Sequence, residues 1–118
     1  MFFSFIVPVY NRPDEIRELL ESIEKQVFDK QKIAFEILVI EDGSTRKADE
    51  IITKFADRLP VHYFFKENTG QGFSRNYGFE RAKGDYFIIL DSDCLLPPHY
   101  LQAVYNHLQD SQLDAFGG

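Results

Sequence analysis

Residues 35–45 run Phe35-Glu-Ile-Leu-Val-Ile40-Glu41-Asp42-Gly43-Ser44-Thr45, a short strand-like stretch that stops at once on a polar, turn-forming tip. Strand residues are drawn from Val, Ile and aromatics, and Asp-Gly-Ser is a turn signal. The same grammar recurs on either side. Upstream, residues 3–9 form a continuous apolar run, as expected for a strand covered on both faces. Asn11-Arg-Pro-Asp-Glu15 then opens a helix with proline and acids in its first turn. Ile16, Leu19, Leu20, Ile23 and Val27 follow at helical spacing.

Downstream, a helix is expected over about 46–59, with Ile51, Ile52, Phe55 and Leu59 inward. A strand at 61–65, a helix at 71–83 closed by Gly84, and a strand at 85–90 come next. Pro97 and Pro98 open a last helix with Tyr100, Leu101, Val104 and Leu108 available for burial. Gly72 and Gly78 each weaken the third helix by about 1 kcal/mol relative to Ala, which points to close packing, to a ligand, or to a poorly formed helix. Four rounds of strand then helix predict an α/β fold, a mainly parallel sheet with helices on both faces, as one domain over 1–118. The chain closes on Asp114-Ala-Phe-Gly-Gly118, which reads as the start of a fifth strand and hence as part of a larger domain.

Composition narrows the partners. The net charge is −6 and the pI about 5.0, so the phosphate neutralisation that drives nucleic-acid binding is missing. Phosphate ligands stay open, because a bound cation can reverse the local field. Cys94 is the lone cysteine, which excludes an internal disulfide and a cysteine zinc cluster. The apolar start lacks a basic region and is broken by Pro8, so it reads as a strand rather than a signal peptide. No later stretch is long and apolar enough to span a bilayer. A cytoplasmic protein is expected, with membrane association through other regions left open.

In open α/β sheets ligands bind outside the carboxyl ends of the strands. Those ends carry the polar punctuation: Pro8-Val9-Tyr10-Asn11-Arg12, Glu41-Asp42-Gly43-Ser44, Asn68-Thr69-Gly70 and Asp91-Ser92-Asp93. Asp91 and Asp93, two carboxylates past a strand, suit Mg²⁺ or Mn²⁺, which bind through a few carboxylates plus substrate phosphates. The plain alternative is a solvated turn. Asp42 could accept a hydrogen bond from a base or merely shape a turn. Glu41 is read as ordinarily exposed and receives no role. Tyr10 could stack on a base or sit half-buried with its hydroxyl satisfied. Arg75, with Asn76 beside it, could meet a diphosphate or pair with Glu80 along the helix. His62, His99 and His107 lack ligand spacing, and Cys94 has no evident base partner.

Three stretches together resemble the family 2 glycosyltransferases of GT-A fold: SFIVPVYNRPDEIRELLESIEKQ at 4–26, FEILVIEDGST at 35–45 and ENTGQGFSRNYGFERAKGDYFIILDSD at 67–93. The resemblance spans nearly the whole chain, in order. It implies a nucleotide-diphospho-sugar donor, often a UDP-sugar, bound at the strand tips. Pro8, Tyr10 and Asn11 would line the nucleoside pocket and Asp42 would bind the base. Arg75 and Asn76 match the family's Arg-Asn pair near the donor. Asp91, with Ser92 beside it, would approach the ribose or a metal-bound water, and Asp93 would ligate Mn²⁺ or Mg²⁺ directly. It further implies inverting transfer to a saccharide or lipid-linked acceptor hydroxyl, assisted by a carboxylate base from the part after the Asp-x-Asp. Residues 94–118 offer no matching base motif; Asp110 and Asp114 are explained more simply as helix-end and turn residues. Glu41 and Cys94 stand where the family more often has acids of its own pattern. The chain is therefore expected to bind donor and metal but to transfer sugar poorly or not at all.

Three rivals are weighed against this. A haloacid-dehalogenase-type phosphatase would carry its nucleophilic Asp after the first strand, where none stands here. A dinucleotide-binding domain needs Gly-x-Gly-x-x-Gly, and Phe73, Ser74 and Arg75 occupy the wrong places. A non-catalytic nucleotide-binding module on the same fold is the alternative that fold alone does not separate.

Overall fold

The computed structural model describes residues 1–67 and 71–117, the side chains of 71, 72 and 111–117 excepted. Elements alternate as expected: β1 (Phe2–Val9), α1 (Pro13–Glu24), β2 (Ala34–Asp42), α2 (Asp49–Phe55), β3 (Val61–Lys66), α3 (Gln71–Arg81), β4 (Tyr86–Ile89) and α4 (Tyr100–Gly117). The four strands lie parallel in the order β3-β2-β1-β4. The chain therefore steps outward from β1 to β3 and then crosses back to place β4 on the other side of β1. That reversal makes β1/β4 the topological switch point.

The sheet is covered on both faces. Phe3, Phe5, Val7 and Val9 of β1, with Ile37 and Val39 of β2, pack on Ile16, Leu19, Leu20 and Ile23 of α1, on Ile51, Ile52 and Phe55 of α2 and on Leu101 of α4. Each such side chain contributes about 1.5–3 kcal/mol on burial. On the opposite face Ile6, Leu38 and Ile40 are buried, and α3 lies over β1 and β2. Gly78 explains how α3 sits so close: a Cβ there would stand 2.6 Å from Cγ2 of Ile6. Of the readings open for that glycine, close packing is the one observed, and the helix forms through it.

Several boundaries differ from expectation. α1 ends at Glu24, so Val27 leaves the apolar face and is 56% exposed. Buried Gln26 takes over there, its amide donating to Pro97 O and its carbonyl accepting from Leu101 N, which fastens the start of α4 to the end of α1. α2 begins at Asp49 rather than near 46, because Ser44, Thr45, Arg46 and Ala48 are drawn into hydrogen bonds at the strand tips; Leu59 is still buried beyond its end. α4 starts at Tyr100, two residues beyond the prolines, and runs to Gly117. The expected fifth strand is thus helical backbone. Residues 109–117 contain no β-branched side chain and only one aromatic, Phe116, which leaves little to favour a strand over continuation of the helix. Among the described residues no helix is long and apolar enough to cross a membrane.

Candidate functional site

The ladder of β1 and β4 ends where Leu90 N donates to Ile6 O. Beyond it the backbone turns, Cys94 N donating to Asp91 O at 3.0 Å, and this turn leaves Asp91 and Asp93 exposed. Opposite, β1 gives way to Tyr10, 51% exposed, and to Arg12 at the mouth of α1. A cleft of about 510 Å³ opens between them, lined by Pro8, Tyr10, Arg12, Glu15, Arg75, Asp91, Ser92 and Asp93. That size is ordinary for a small-molecule site, and the switch point of a parallel sheet is where one is expected.

The lining is mostly polar. Two guanidiniums, Arg12 and Arg75, face three carboxylates, Glu15, Asp91 and Asp93. Arg12 is partly engaged by Glu15 at 3.6 Å. Arg75 is exposed in the first half of α3, and Glu80, its alternative partner along the helix, pairs with Arg81. Asn76 is exposed beside it and is not among the described residues that line the cleft. Sequence reasoning placed Arg12 in the β1 tip without a role and missed Glu15, which was visible only as part of an ordinary helix start. Among the described residues no three His, Cys, Asp or Glu gather closely enough to hold a metal by themselves.

The β2 tip stands apart from the cleft. Asp42 is buried, and Lys66 Nζ of the register-paired β3 residue donates to its Oδ1 at 2.6 Å. Asn11 braces the two tips rather than lining the cleft. It adopts φ 53°, its N–H donates to Ser44 Oγ, and its Oδ1 accepts from Thr45 N and Arg46 N, both at 2.9 Å. Asn tolerates this left-handed geometry better than most residues.

Glu41 overturns its expected exposure. It is 0% exposed, and its carboxylate accepts from Ser44 Oγ at 2.5 Å, Ala48 N at 2.7 Å and Tyr63 Oη at 3.0 Å. Burial, then the hydrogen bond to Glu41 and that carboxylate's charge, hold the Tyr63 phenol well above its ordinary pKa. Asn68, Thr69 and Gly70, expected at the β3 tip, lie outside the described residues, as does the side chain of Asp114.

The sequence model of Glycosyl transferase family 2 matches residues 4–118. An uncharacterised glycosyltransferase of Rickettsia typhi is 37% identical over 105 residues, covering 89% of this chain and 31% of its own. The crystal structure of Staphylococcus aureus TarS 1–349 in complex with UDP-GlcNAc superposes with a TM-score of 0.82 at 33% identity, over 93% of this chain and 32% of that one. A mannosyltransferase from Pyrobaculum calidifontis, in complex with GDP-Man and Mn²⁺, gives 0.71 at 27% identity, over 80% and 28%. The chain thus spans about a third of the length of these relatives, and its fold is that of the GT-A glycosyltransferases they represent.

Proposed function

Because this chain belongs to glycosyl transferase family 2, we propose that its cleft binds the diphosphate of a nucleotide-sugar, a UDP-sugar in the first instance, for transfer of the sugar to an acceptor hydroxyl. The observation that carries this reading is the meeting of Arg12 and Arg75 with Asp91, Ser92 and Asp93 at one switch point. Two guanidiniums suit a diphosphate, which they can engage through paired N–H donors. Exposed Tyr10 offers a face for the base, with Pro8 at the cleft floor. Asp42, held by Lys66 at the neighbouring tip, is the group assigned to the base N–H. UDP is preferred over GDP because the TarS likeness is the stronger of the two superpositions.

Asp91 and Asp93 fit Mn²⁺ or Mg²⁺. They are exposed oxygen donors, and the lack of a third described ligand matches a cation completed by phosphate oxygens rather than caged by protein. Such an ion, when bound, offsets charge on the departing diphosphate. The rest falls to the chain's own residues: the arginines hold the phosphates, and Tyr10 orients the nucleoside. The reaction breaks the anomeric C–O bond to the diphosphate as the acceptor oxygen bonds that carbon from the opposite side, its proton passing to a carboxylate base.

Thermal unfolding with UDP, GDP and ADP, each with and without Mn²⁺, tests the reading. A ligand at about 100 times its Kd adds roughly 2.7 kcal/mol, several degrees in a domain of this size. The expected result is a UDP shift that requires Mn²⁺ and is lost in Asp93→Ala. A Mn²⁺-dependent shift that survives in Asp93→Ala would remove the metal assignment. No shift with any nucleotide would remove the donor-site reading for this chain.

A further inference from the structure

We propose that Glu41 is a positioning residue for the cleft: through Ser44 it fixes Asn11 in its left-handed conformation and thereby sets Tyr10 and Arg12 on the cleft wall. Relevance to ligand binding rests on the donor-site reading above, whereas the positioning itself does not. Glu41 belongs to β2 and points to the face packed by α1 and α2, away from the cleft, so any effect it has must be relayed. The relay is continuous. Ser44 Oγ donates to Glu41 Oε2 and, through a lone pair, accepts from Asn11 N at 2.8 Å. Donation to the carboxylate orients the hydroxyl so that a lone pair, not a proton, faces Asn11.

Asn11 then closes the loop in the other direction, its side-chain oxygen accepting from the Thr45 and Arg46 amides. The second carboxylate oxygen, Oε1, ties the same assembly to Ala48 N and to Tyr63 of β3. A buried carboxylate with three donors is an expensive group to place under a turn unless its acceptor capacity is needed there. Its use here is to satisfy two donors of the loop after β2, Ser44 and Ala48, together with Tyr63 of β3. Asn11 has Tyr10 before it and Arg12 after it, both lining the cleft, and a residue at φ 53° reverses the chain direction between them.

The test compares Glu41→Leu, Ser44→Ala, the double variant and Leu59→Ala, a buried position outside the relay serving as a stability control. Amide hydrogen exchange is read at Asn11, Thr45 and Arg46, and UDP–Mn²⁺ affinity is measured well below each unfolding midpoint. Ala48 is left out of the exchange readout, since it bonds Glu41 directly and would respond to any loss of the carboxylate. Both single variants should speed exchange at the three amides at least tenfold while Phe5 and Val7 stay protected, and should weaken UDP about tenfold. The double variant should lose no more than the worse single, because both cut one relay. Leu59→Ala should alter neither readout at the tips by more than twofold.

Unchanged exchange at Asn11 in Glu41→Leu, additive losses, or an equal response in Leu59→Ala would overturn the proposal. Should Glu41→Leu fail to fold, Glu41→Gln takes its place and is judged on the same three amides. Should the unaltered chain bind no UDP, the donor-site reading falls and the exchange arm still decides the positioning claim.

Discussion

Glu41 and Asp42 are neighbours in the chain yet serve opposite faces of the sheet, because successive strand side chains point to opposite sides. Glu41 turns toward α2 and meets Ser44, Ala48 and Tyr63; Asp42 turns toward the α3 side and meets Lys66. An acidic pair before Gly-Ser looks like a solvated turn in sequence, and nothing local separates it from one. The distinction comes from β2 extending two residues further than its apolar run, which carries both acids into the sheet. Tyr63 offers a direct check. Its phenol is raised by burial first and by Glu41 next, so the folded state keeps the proton that the unfolded chain releases from about pH 10. The stability this confers is present below pH 10 and is lost as pH climbs from there toward the folded value. Urea unfolding from pH 7 to 11 should therefore show a steeper alkaline decline in the native protein than in Tyr63→Phe. At pH 7 the variant should lose about 0.5–1.5 kcal/mol for the missing hydrogen bond. Parallel alkaline slopes would remove Tyr63 as a titrating contributor.

At the scale of elements, apolar periodicity placed every strand and helix in the right order, and the ends carry the differences. Pro13, Asp14 and Glu15 start α1 where the first-turn chemistry said they would, since proline suits that position and acids oppose the helix dipole. Val27 fits the same helical spacing, but the helix stops at Glu24 and Gln26 takes the buried place beside α4. Periodicity cannot reveal that, because the partner at 97–101 is distant in sequence. Gly78 shows the same limit from the other side. In isolation it weakens α3; in the fold it removes a clash with Ile6. Gly78→Ala should gain about 1 kcal/mol in helix propensity and lose about 1–3 to overpacking, since Ile6 is branched and buried. A net loss of up to about 2 kcal/mol in denaturant unfolding is expected, and a stabilised variant would show that α3 can shift away from β1 without cost.

At the scale of the whole molecule, strand order decides the site. The order β3-β2-β1-β4 brings residue 8 beside residues 91–93 and leaves Asp42 a strand away. With Arg75 arriving from α3 on the opposite face, three separate stretches close one cleft. The carboxylates lining it among the described residues are Glu15, paired with Arg12, and the two assigned to metal, while Asp110 is exposed on α4 and outside that lining. The 118 residues alone are thus expected to bind a UDP-sugar with Mn²⁺ and to show little or no transfer to an added acceptor. Robust metal-dependent transfer, measured as UDP release that requires the acceptor, would show that a base is present within them. The sequence by itself determined the alternation of elements, the parallel class of the sheet and the polar character of the strand tips, because each depends on residues a few positions apart. Only the tertiary structure decided which tips meet, that Glu41 lies buried beneath them and that Arg12 and Glu15 join the cleft, because contacts across the sheet depend on strand order and face, which no local spacing encodes.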